Sequence, residues 1–433
     1  MILLDGTWNQ GSGETIPTNI VHLRDLILRE TGPKRNPITQ QIHYDAGIGT
    51  DGSWLKRRLD GLTGGGLEET VRSAYRYLCL HFEKGLEIYV FGYSRGAFSA
   101  RSLVGYIHAA GLLTPENCDQ DTEERAWRFY RTPKRRRFPA EKKELEKLCQ
   151  PKDQVRIACL GVFDTVGARG IPFNLLRPLN ARKYGFHDTN LSSIVDFAFQ
   201  ALALDEHRWP FGATLWSKAF HIKNERVEQV WFPGVHADVG GGGQEDRRLS
   251  NIPLYWMVKR IQDCGLGLKF DEKRLAKVAE KRDATAPSYG NPGLLGALSW
   301  LWPRLRIVSQ TRTKLSHNLS SLPRYAEPLF EALHWSVFER IKAPCWYAPD
   351  NIDKDIYATI YVKDTKFDTD TVGHDERFLE WWANEKDYWS MLSILPDERL
   401  RREFEEKAKT QLEFCRPKRR SISRTKSKKV PPP

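Results

Sequence analysis

The stretch Val90–Ala97, V-F-G-Y-S-R-G-A, places a single serine between two glycines. An apolar run, Leu86–Phe91, precedes Ser94, and a run rich in small residues, Ala97–Ala110, follows it. A strand, a G-x-S-x-G turn and a helix are together typical of the turn that presents a nucleophilic serine; a plain strand-to-helix turn is the alternative. We predict that Ser94 is a nucleophile and that the amide of Arg95, at the start of the helix, faces the developing oxyanion.

A serine nucleophile needs a base that accepts its proton and an acid that orients the base. His236 is the favoured base because it lies between a strand-like run and a run of four glycines; a structural turn histidine is the alternative. Asp164 is the favoured acid because it directly follows the apolar run Val155–Phe163. It lies 70 residues after Ser94 and 72 before His236, which matches the order serine, acid, histidine. A helix cap or an Asx turn is the alternative role for this aspartate.

Three other residues compete for these two roles. His334, in E-A-L-H-W-S-V-F, is the strongest rival base. Asp238 is the second candidate for the acid, although it lies only two residues from the favoured histidine. Asp205, in L-D-E-H-R, is the third candidate.

The run D-G-T-W-N at residues 5–9 follows the short apolar stretch Ile2–Leu4. Glycine lets the backbone approach a ligand closely, and a loop after an early strand supplies the second oxyanion N–H in hydrolases with this serine turn. We expect the Gly6–Thr7 loop to supply it. Asp5 would orient this loop by hydrogen bonds or lie close to Ser94.

A metal-dependent phosphatase is a rival interpretation of the same acidic residues. Asp5, Asp164 and Asp238 together would offer hard oxygen ligands for Mg²⁺ or Ca²⁺. The D-G-T run also occurs in phosphatases of the haloacid dehalogenase type, but these carry a nucleophilic aspartate two residues earlier, where this chain has Leu3. This interpretation gives Ser94 no role.

The apolar runs predict an α/β fold with a mostly parallel, α/β-hydrolase-like sheet flanked by helices and a helical, aromatic-rich C-terminal extension. The predicted strands are Ile2–Leu4, Gln40–Tyr44, Leu86–Phe91, Val155–Phe163, Ala219–Ile222 and Val227–Val235. The predicted helices are Thr18–Arg29, one opened by Gly64–Gly66, Ala97–Ala110, Ile194–Leu204 and Ile252–Cys264. The candidate serine, acid and base each follow a predicted strand, so we expect them to meet at the carboxyl edge of the sheet.

The chain divides into four predicted segments. An α/β-hydrolase-like catalytic domain spans residues 1–270 and contains a charged helical excursion at 119–150. Residues 271–345 form an insertion or lid-like segment, 346–415 a helical region and 416–433 a basic, disordered tail. Within the insertion, the apolar stretch Thr285–Pro303 would shape an acyl-binding surface; a loop packed on the core is the alternative.

Composition limits the class of protein. The formal net charge is +12, but the tail 416–433 alone carries eight Lys or Arg and no acid, so we expect a solvated tail or contact with anionic surfaces rather than specific nucleic-acid binding. Seven dispersed cysteines without a C-x-x-C pair indicate neither a disulfide framework nor a zinc site. No apolar run reaches the roughly 20 residues that span a bilayer, and the start lacks a signal peptide. We therefore expect a cytoplasmic protein with peripheral membrane contact.

Five blocks of the sequence, in order, resemble one known family. They are L-L-D-G-T-W-N, Y-D-A-G-I-G-T, F-G-Y-S-R-G-A-F-S-A-R, G-V-F-D-T-V-G and W-F-P-G-V-H-A-D-V-G-G-G. Over about residues 1–266 the chain is similar to the catalytic domain of type VI secretion phospholipase effectors, an α/β-hydrolase family with uncharacterised bacterial and fungal members. The resemblance implies Ser94, Asp164 and His236 as a catalytic triad. It also implies hydrolysis of a carboxylic ester, which in characterised members belongs to a phospholipid.

The sequence thus predicts a serine esterase or lipase that forms an acyl-enzyme, acts on a lipid or other ester and requires no cofactor or metal. A second hypothesis comes from a different class of protein: a non-catalytic scaffold with the same fold that binds anionic partners through its tail. Covalent labelling of Ser94 by a fluorophosphonate distinguishes the two.

Overall fold

The structure, a computed structural model, describes residues 1–6, 16–31, 38–47, 65–166, 191–208, 211–216, 227–290, 331–343 and 347. Its strands are β1 (Ile2–Leu4), β2 (Glu30–Thr31), β3 (Ile38–Thr39), β4 (His43–Asp45), β5 (Ile88–Tyr93), β6 (Ile157–Phe163), β7 (Val195–Ala203), β8 (Val227–Phe232) and β9 (Glu331–Leu333). Seven of them form one sheet in the order β4-β1-β5-β6-β7-β8-β9, and every neighbouring pair is parallel. The strands β2 and β3 form a separate antiparallel pair.

Helices cover both faces of the large sheet. They are α1 (Asn19–Leu26), α2 (Gly65–His81), α3 (Arg95–Ala110), α4 (Gln120–Arg131), α5 (Pro139–Glu146), α6 (His236–Gly240), α7 (Asn251–Asp263), α8 (Glu272–Glu280) and α9 (Trp335–Lys342). The predicted α/β class, with a mostly parallel sheet flanked by helices, is therefore confirmed. The charged segment 119–150, predicted to be helical, contains the helices α4 and α5.

The side chains of the sheet alternate between two apolar clusters, as the pleat of a strand requires. In β5, Phe91 packs into the cluster beneath α1 and α7, whereas Val90 packs into the cluster beneath α2, α3 and α4. Trp256 of α7 and Trp127 of α4 are almost fully buried and lie in opposite clusters. The central strands are consequently buried on both faces and rigidly placed.

The prediction of a helix over Ile194–Leu204 is wrong, because these residues form β7. β7 pairs with β6 on one side and β8 on the other, and nearly all of its side chains are buried. A strand buried on both faces reads as a continuous apolar run without alternation, and a short run of that kind cannot be distinguished from a buried helix by periodicity.

The predicted insertion 271–345 contributes to the main body. Leu275 of α8 lies in the cluster under α7, and β9 extends the large sheet beside β8. The predicted strand Ala219–Ile222, the tail 416–433 and all of 346–415 except Tyr347 lie outside the described residues. The division into domains stays a prediction.

Gly96, in the first turn of α3, allows this helix to approach β1 closely. A Cβ atom at this position would lie 2.2 Å from the carbonyl oxygen of Leu4 and 2.5 Å from that of Asp5. Both contacts are to backbone, which cannot move aside cheaply. The small residue is therefore required by packing between the start of α3 and the end of β1.

We expect Gly96→Ala to lower the free energy of unfolding by at least about 2 kcal/mol, because the added methyl group collides with main-chain atoms. Gly212→Ala is the matched control, since a Cβ atom there meets nothing within 4 Å. Urea denaturation followed by circular dichroism measures both variants. Equal stability of the Gly96→Ala and wild-type proteins would contradict this account of the packing.

Candidate active site

Ser94 lies at the junction of β5 and α3 in a strained backbone conformation, with φ 58° and ψ −120°. Gly92 makes the sharp turn sterically feasible, because a Cβ atom there would come within 2.7 Å of the backbone of Ala97. The amide of Ser94 still donates to the carbonyl of Phe163, at 3.0 Å, so the turn is tied to β6. A non-glycine residue with such a φ persists only where its surroundings hold it, and such residues cluster at functional sites.

The hydroxyl of Ser94 begins a chain of two hydrogen bonds. Its Oγ lies 2.8 Å from Nε2 of His236, and Nδ1 of the same ring lies 2.5 Å from Oδ2 of Asp164. With the proton on Nδ1, the carboxylate accepts from the ring and Nε2 accepts from the serine hydroxyl. The three side chains predicted from the sequence, which follow β5, β6 and β8, are thus in direct contact.

Asp164 follows β6 and is completely buried. Its φ of 42° makes it, with Ser94, one of two non-glycine residues of the described chain whose φ is positive. Its amide donates to the carbonyl of Ala201, and its Oδ1 accepts from the amide of Ala203 at 3.0 Å. Both oxygens of the carboxylate therefore have partners, and the oxygen that faces the imidazole is fixed in direction.

His236 is held by its backbone and by two aromatic rings. The hydroxyl of Tyr93 donates to the carbonyl oxygen of His236 at 3.2 Å, and the two ring centroids are 4.8 Å apart. Burial raises the pKa of Tyr93 well above its ordinary value, so this hydroxyl stays a donor. Phe211 contacts the imidazole edge-on, with centroids 5.0 Å apart. Gly240 leaves room for Tyr93, because a Cβ atom there would overlap its ring.

An ion pair between the buried Glu206 and the partly buried Arg208 contacts the histidine segment. Glu206 is 1% exposed and accepts from Nε of Arg208 at 2.9 Å and from another guanidinium nitrogen at 2.7 Å. The same carboxylate lies 3.3 Å from the backbone amide of His236. The guanidinium carbon of Arg208 lies 3.8 Å from the ring centroid of Phe211. This pair therefore links the loop after β7 to both the backbone of the histidine and the ring that packs against it.

A buried polar network anchors the segment that carries Phe211. Arg101 of α3 donates to the carbonyl of Thr214 at 2.5 Å and to the side-chain oxygen of Gln200 at 3.2 Å. Gln200, in β7, also accepts from the hydroxyl of Thr165 at 2.8 Å. The loop is consequently fixed to the strands beneath it.

Asp5 is buried at the end of β1, and its carboxylate accepts hydrogen bonds from three donors. The hydroxyls of Thr18 and Tyr44 lie 2.7 Å and 2.9 Å from Oδ2, and the amide of Gly6 lies 2.7 Å from Oδ1. Burial raises the pKa of Asp5, although these hydrogen bonds oppose the shift. The amide of Gly6 thus donates to Asp5, and the expectation that the Gly6–Thr7 loop supplies an oxyanion donor stays a prediction. Thr7 lies outside the described residues.

Residues 1–260 match the family described as the catalytic domain of type VI secretion system phospholipase effectors, Tle1-like. The chain belongs to this family. The predicted resemblance is thus confirmed.

The chain is similar to a yeast protein and also matches two solved structures. It is 31% identical, over 231 residues, to the uncharacterised protein YEL023C of Saccharomyces cerevisiae; the match covers 49% of this chain and 31% of that protein. The Tle1 effector bound to the VgrG spike of the type 6 secretion system is 22% identical, with a TM-score of 0.37 and coverage of 56% of this chain and 50% of that one. An uncharacterised protein from Pseudomonas aeruginosa is 14% identical, with a TM-score of 0.25 and coverage of 92% and 49%. The chain thus spans about a third to a half of the length of these relatives.

The alternative candidates for the acid and the base contact other residues. Asp238 accepts from the amide of Val235 at 2.9 Å and from the hydroxyl of Ser288. Asp205 accepts from the amide of Gly234 and from the hydroxyl of Tyr347. Nδ1 of His334 lies 2.8 Å from the hydroxyl of Ser336, beside the edge strand β9. These residues support turns around the site, and the described part of the chain joins none of them to Ser94.

The three aspartates of the metal hypothesis also lie in separate hydrogen-bond sets. Asp5 contacts Thr18, Asp164 contacts the imidazole, and Asp238 contacts the segment that follows α8. Among the described residues no three His, Cys, Asp or Glu side chains are grouped so that they could hold a metal ion. This arrangement does not favour the metal-dependent phosphatase.

Sequence reasoning missed Glu206, Arg208 and the aromatic neighbours of the histidine. The signal was the run L-D-E-H-R, which directly follows β7 at the carboxyl edge of the sheet. It was hidden because β7 was predicted to be a helix. Correct recognition of that strand would have placed the run beside the other candidate residues.

Asp205 makes the stability of the protein depend on pH. Burial raises its pKa to about 6, against about 3.9 in an unfolded chain. The folded state thus favours the neutral carboxyl, so the stability that Asp205 contributes is complete below about pH 4 and is lost as the pH rises to about 6. We therefore compare the free energies of unfolding of Asp205→Asn and the wild-type protein. We expect their difference to shift in favour of the variant by up to about 3 kcal/mol when the pH is raised from 4 to 7.5. Urea denaturation at both pH values measures this difference; a difference that is the same at both pH values would contradict the prediction.

Proposed function

We propose that the protein is a serine hydrolase that cleaves carboxylic esters of lipids, with phospholipids as the substrate class. The observation that carries the proposal is the pair of hydrogen bonds that joins Ser94 to His236 and His236 to Asp164. The strained serine turn, the complete burial of the aspartate and membership of the phospholipase effector family support it.

In the first half of the reaction, Oγ of Ser94 attacks the acyl carbonyl carbon while its proton passes to Nε2 of His236. The imidazole becomes positively charged, and the carboxylate of Asp164 stabilises that charge and keeps the ring in place. The tetrahedral intermediate then expels the alcohol, which takes the proton from Nε2. The products of this half are the free alcohol and an acyl-serine ester.

In the second half, water attacks the acyl carbon of the serine ester and gives a proton to the same Nε2. Collapse of the second tetrahedral intermediate returns the proton to Oγ of Ser94 and releases the carboxylic acid. The net change is one ester bond hydrolysed by one water molecule, with no cofactor involved in any step.

The backbone amide of Arg95 is the proposed donor to the oxyanion. It is the first residue of α3, where the helix dipole favours negative charge. The Gly6–Thr7 loop is the proposed source of the second donor; in the described residues the amide of Gly6 donates to Asp5, and Thr7 lies outside them.

The acyl chain would lie near the turn that carries His236. Tyr289 donates its amide to Asp238 at 2.9 Å, which brings the start of the apolar stretch Thr285–Pro303 beside that turn. The part of this stretch beyond residue 290 lies outside the described residues. We propose that its apolar side chains shape the hydrophobic acyl site.

Labelling and hydrolysis test the proposed nucleophile. We expect a fluorophosphonate probe to label the wild-type protein and Ser94→Ala to lose both the label and at least about 10⁴-fold in kcat/KM on a panel of phospholipids and soluble esters. Ser99→Ala is the matched control, because Ser99 is buried within α3, whereas the serine that contacts the imidazole is Ser94, just before that helix. A folded wild-type protein that takes no label and hydrolyses no ester would overturn the proposal and favour the scaffold.

Removal of divalent metal ions tests the mechanism in a different way. Because the proposed steps use only Ser94, His236, Asp164 and backbone amides, we expect ester hydrolysis to persist within about twofold after dialysis against EDTA. Activity lost to EDTA and restored by Mg²⁺ or Ca²⁺ would instead favour a metal-dependent site.

A further inference from the structure

The turn between α4 and α5 concentrates positive charge beside an exposed aromatic ring. Residues 125–140 contain seven Lys or Arg and no acid. We call residues 132–140 the hairpin tip. Phe138, within this tip, is 72% exposed, the highest value among the exposed large apolar side chains of the described residues. A single exposed apolar residue is ordinary, but one set in a basic run that contains no acidic residue calls for a physical explanation.

The hairpin tip lies toward the same edge of the sheet as Ser94. In a parallel sheet, the helix that follows a strand begins at the carboxyl edge, so the first turns of α2 and α3 share that edge. Trp127 donates to Glu68 in the first turn of α2 at 2.7 Å, and Arg131 lies 3.5 Å from the same carboxylate. Glu123, at the start of α4, instead contacts Arg72 and Arg76 further along α2. The helix α4 therefore runs toward the carboxyl edge of the sheet, and the hairpin tip that follows it lies at that edge.

The tip is held in shape from within. Arg137 donates to the carbonyls of Thr132 and Tyr130, at 2.8 Å and 2.7 Å, and so closes the turn. Pro139 then begins α5 immediately after Phe138. Because the backbone on both sides is fixed in this way, the aromatic ring is displayed outward at little further entropic cost.

Three cations of the tip, Lys134 among them, are exposed, as that ring is. Arg135 and Arg136 are exposed, and Arg128 is exposed on the last turns of α4. By contrast, the guanidinium of Arg137 is occupied by the turn itself. The surface thus combines guanidinium groups that can reach anionic groups with an aromatic side chain that can enter an apolar layer.

We propose that the hairpin tip is a docking surface for an anionic lipid bilayer. Phosphate and carboxylate headgroups would bind Arg135 and Arg136, and the ring of Phe138 would lie at the boundary between headgroups and acyl chains. A nucleic acid would satisfy the charges equally well, but it gives no reason for an outward-facing phenylalanine between basic residues and the proline that starts a helix. The exposed ring therefore favours the bilayer.

This inference rests on the proposed function and deepens it, because docking at the tip turns the carboxyl edge, and with it Ser94, toward the membrane that holds the substrate. A soluble ester does not need this step. The surface should therefore affect hydrolysis of lipid in vesicles and leave hydrolysis of a soluble ester unchanged.

Vesicle binding tests the docking surface separately from catalysis. The Ser94→Ala protein, which leaves the vesicles intact, is mixed with phosphatidylcholine vesicles that contain no phosphatidylserine or about a third of it, and bound protein is measured by sedimentation. We expect binding to the anionic vesicles, weakened by added salt. Adding Arg135→Glu and Arg136→Glu should lower the affinity at least about tenfold, and adding Phe138→Ala should lower it several-fold.

The matched control adds Lys84→Glu and Lys273→Glu instead, which makes the same change in charge. Lys84 precedes β5 and Lys273 lies in the first turn of α8, which begins beside the end of α1, so both lie toward the opposite edge of the sheet. We expect this control to bind vesicles within about twofold of the parent protein. Equal losses in the two double variants, or no loss in the tip variants, would overturn the proposal. So would a tip variant that loses binding to duplex DNA while its vesicle binding is unchanged.

The same tip substitutions are then made in the protein that retains Ser94. We expect them to lower the rate of hydrolysis of vesicle phospholipid at least about tenfold. The rate of hydrolysis of p-nitrophenyl butyrate should stay within about twofold of that of the wild-type protein. If the wild-type protein hydrolyses neither substrate, the proposed function fails while the binding result still stands. If both substrates are hydrolysed and the tip substitutions affect neither, the docking surface fails while the esterase stands.

Discussion

The conformation of one residue, Ser94, constrains much of the surrounding structure. Its backbone occupies a region that costs an L-amino acid about 1–3 kcal/mol, so neighbouring contacts have to hold it there. Gly92 and Gly96 bring the backbones of α3, β5 and β1 closer than any side chain would allow. The tie from the amide of Ser94 to β6 adds a further restraint. The strain is thus offset by the packing of a rigid parallel sheet, which orients the hydroxyl outward toward the imidazole.

Around that turn, buried charges are matched locally. Asp164 has no solvent exposure, yet its two oxygens meet a ring nitrogen and a backbone amide. Glu206 is paired with Arg208, and this pair in turn supports the backbone of the histidine and the ring of Phe211. An unpaired charge at such depth would be costly, whereas a paired one rigidifies the polar network. The few residues that pair the buried charges around the imidazole are therefore also those that hold its ring and backbone in place.

The strands, helices and turns that could be predicted are those whose own residues favour one conformation strongly. The serine turn was recognisable because two glycines and a serine lie between an apolar run and a helix-forming run, a combination with few alternative geometries. The α/β class followed from the alternation of such runs. The strand β7 was missed because Val195–Ala203 is apolar throughout, and only its two strand neighbours determine that it is extended. Missing that strand also concealed Glu206 and Arg208.

The sequence by itself determined which residues could do chemistry, because the types and the chain order of Ser94, Asp164 and His236 are local properties of the chain. It also determined the family, through five motifs in order. Only the tertiary structure decided that the rival acids Asp205 and Asp238 support turns, that the amide of Gly6 is occupied by Asp5, and that the basic hairpin tip lies toward the edge that carries the serine. The physical reason is that each of these outcomes depends on contacts between segments distant in sequence. Which polar group finds which partner is settled when the parallel strands align and their carboxyl ends meet.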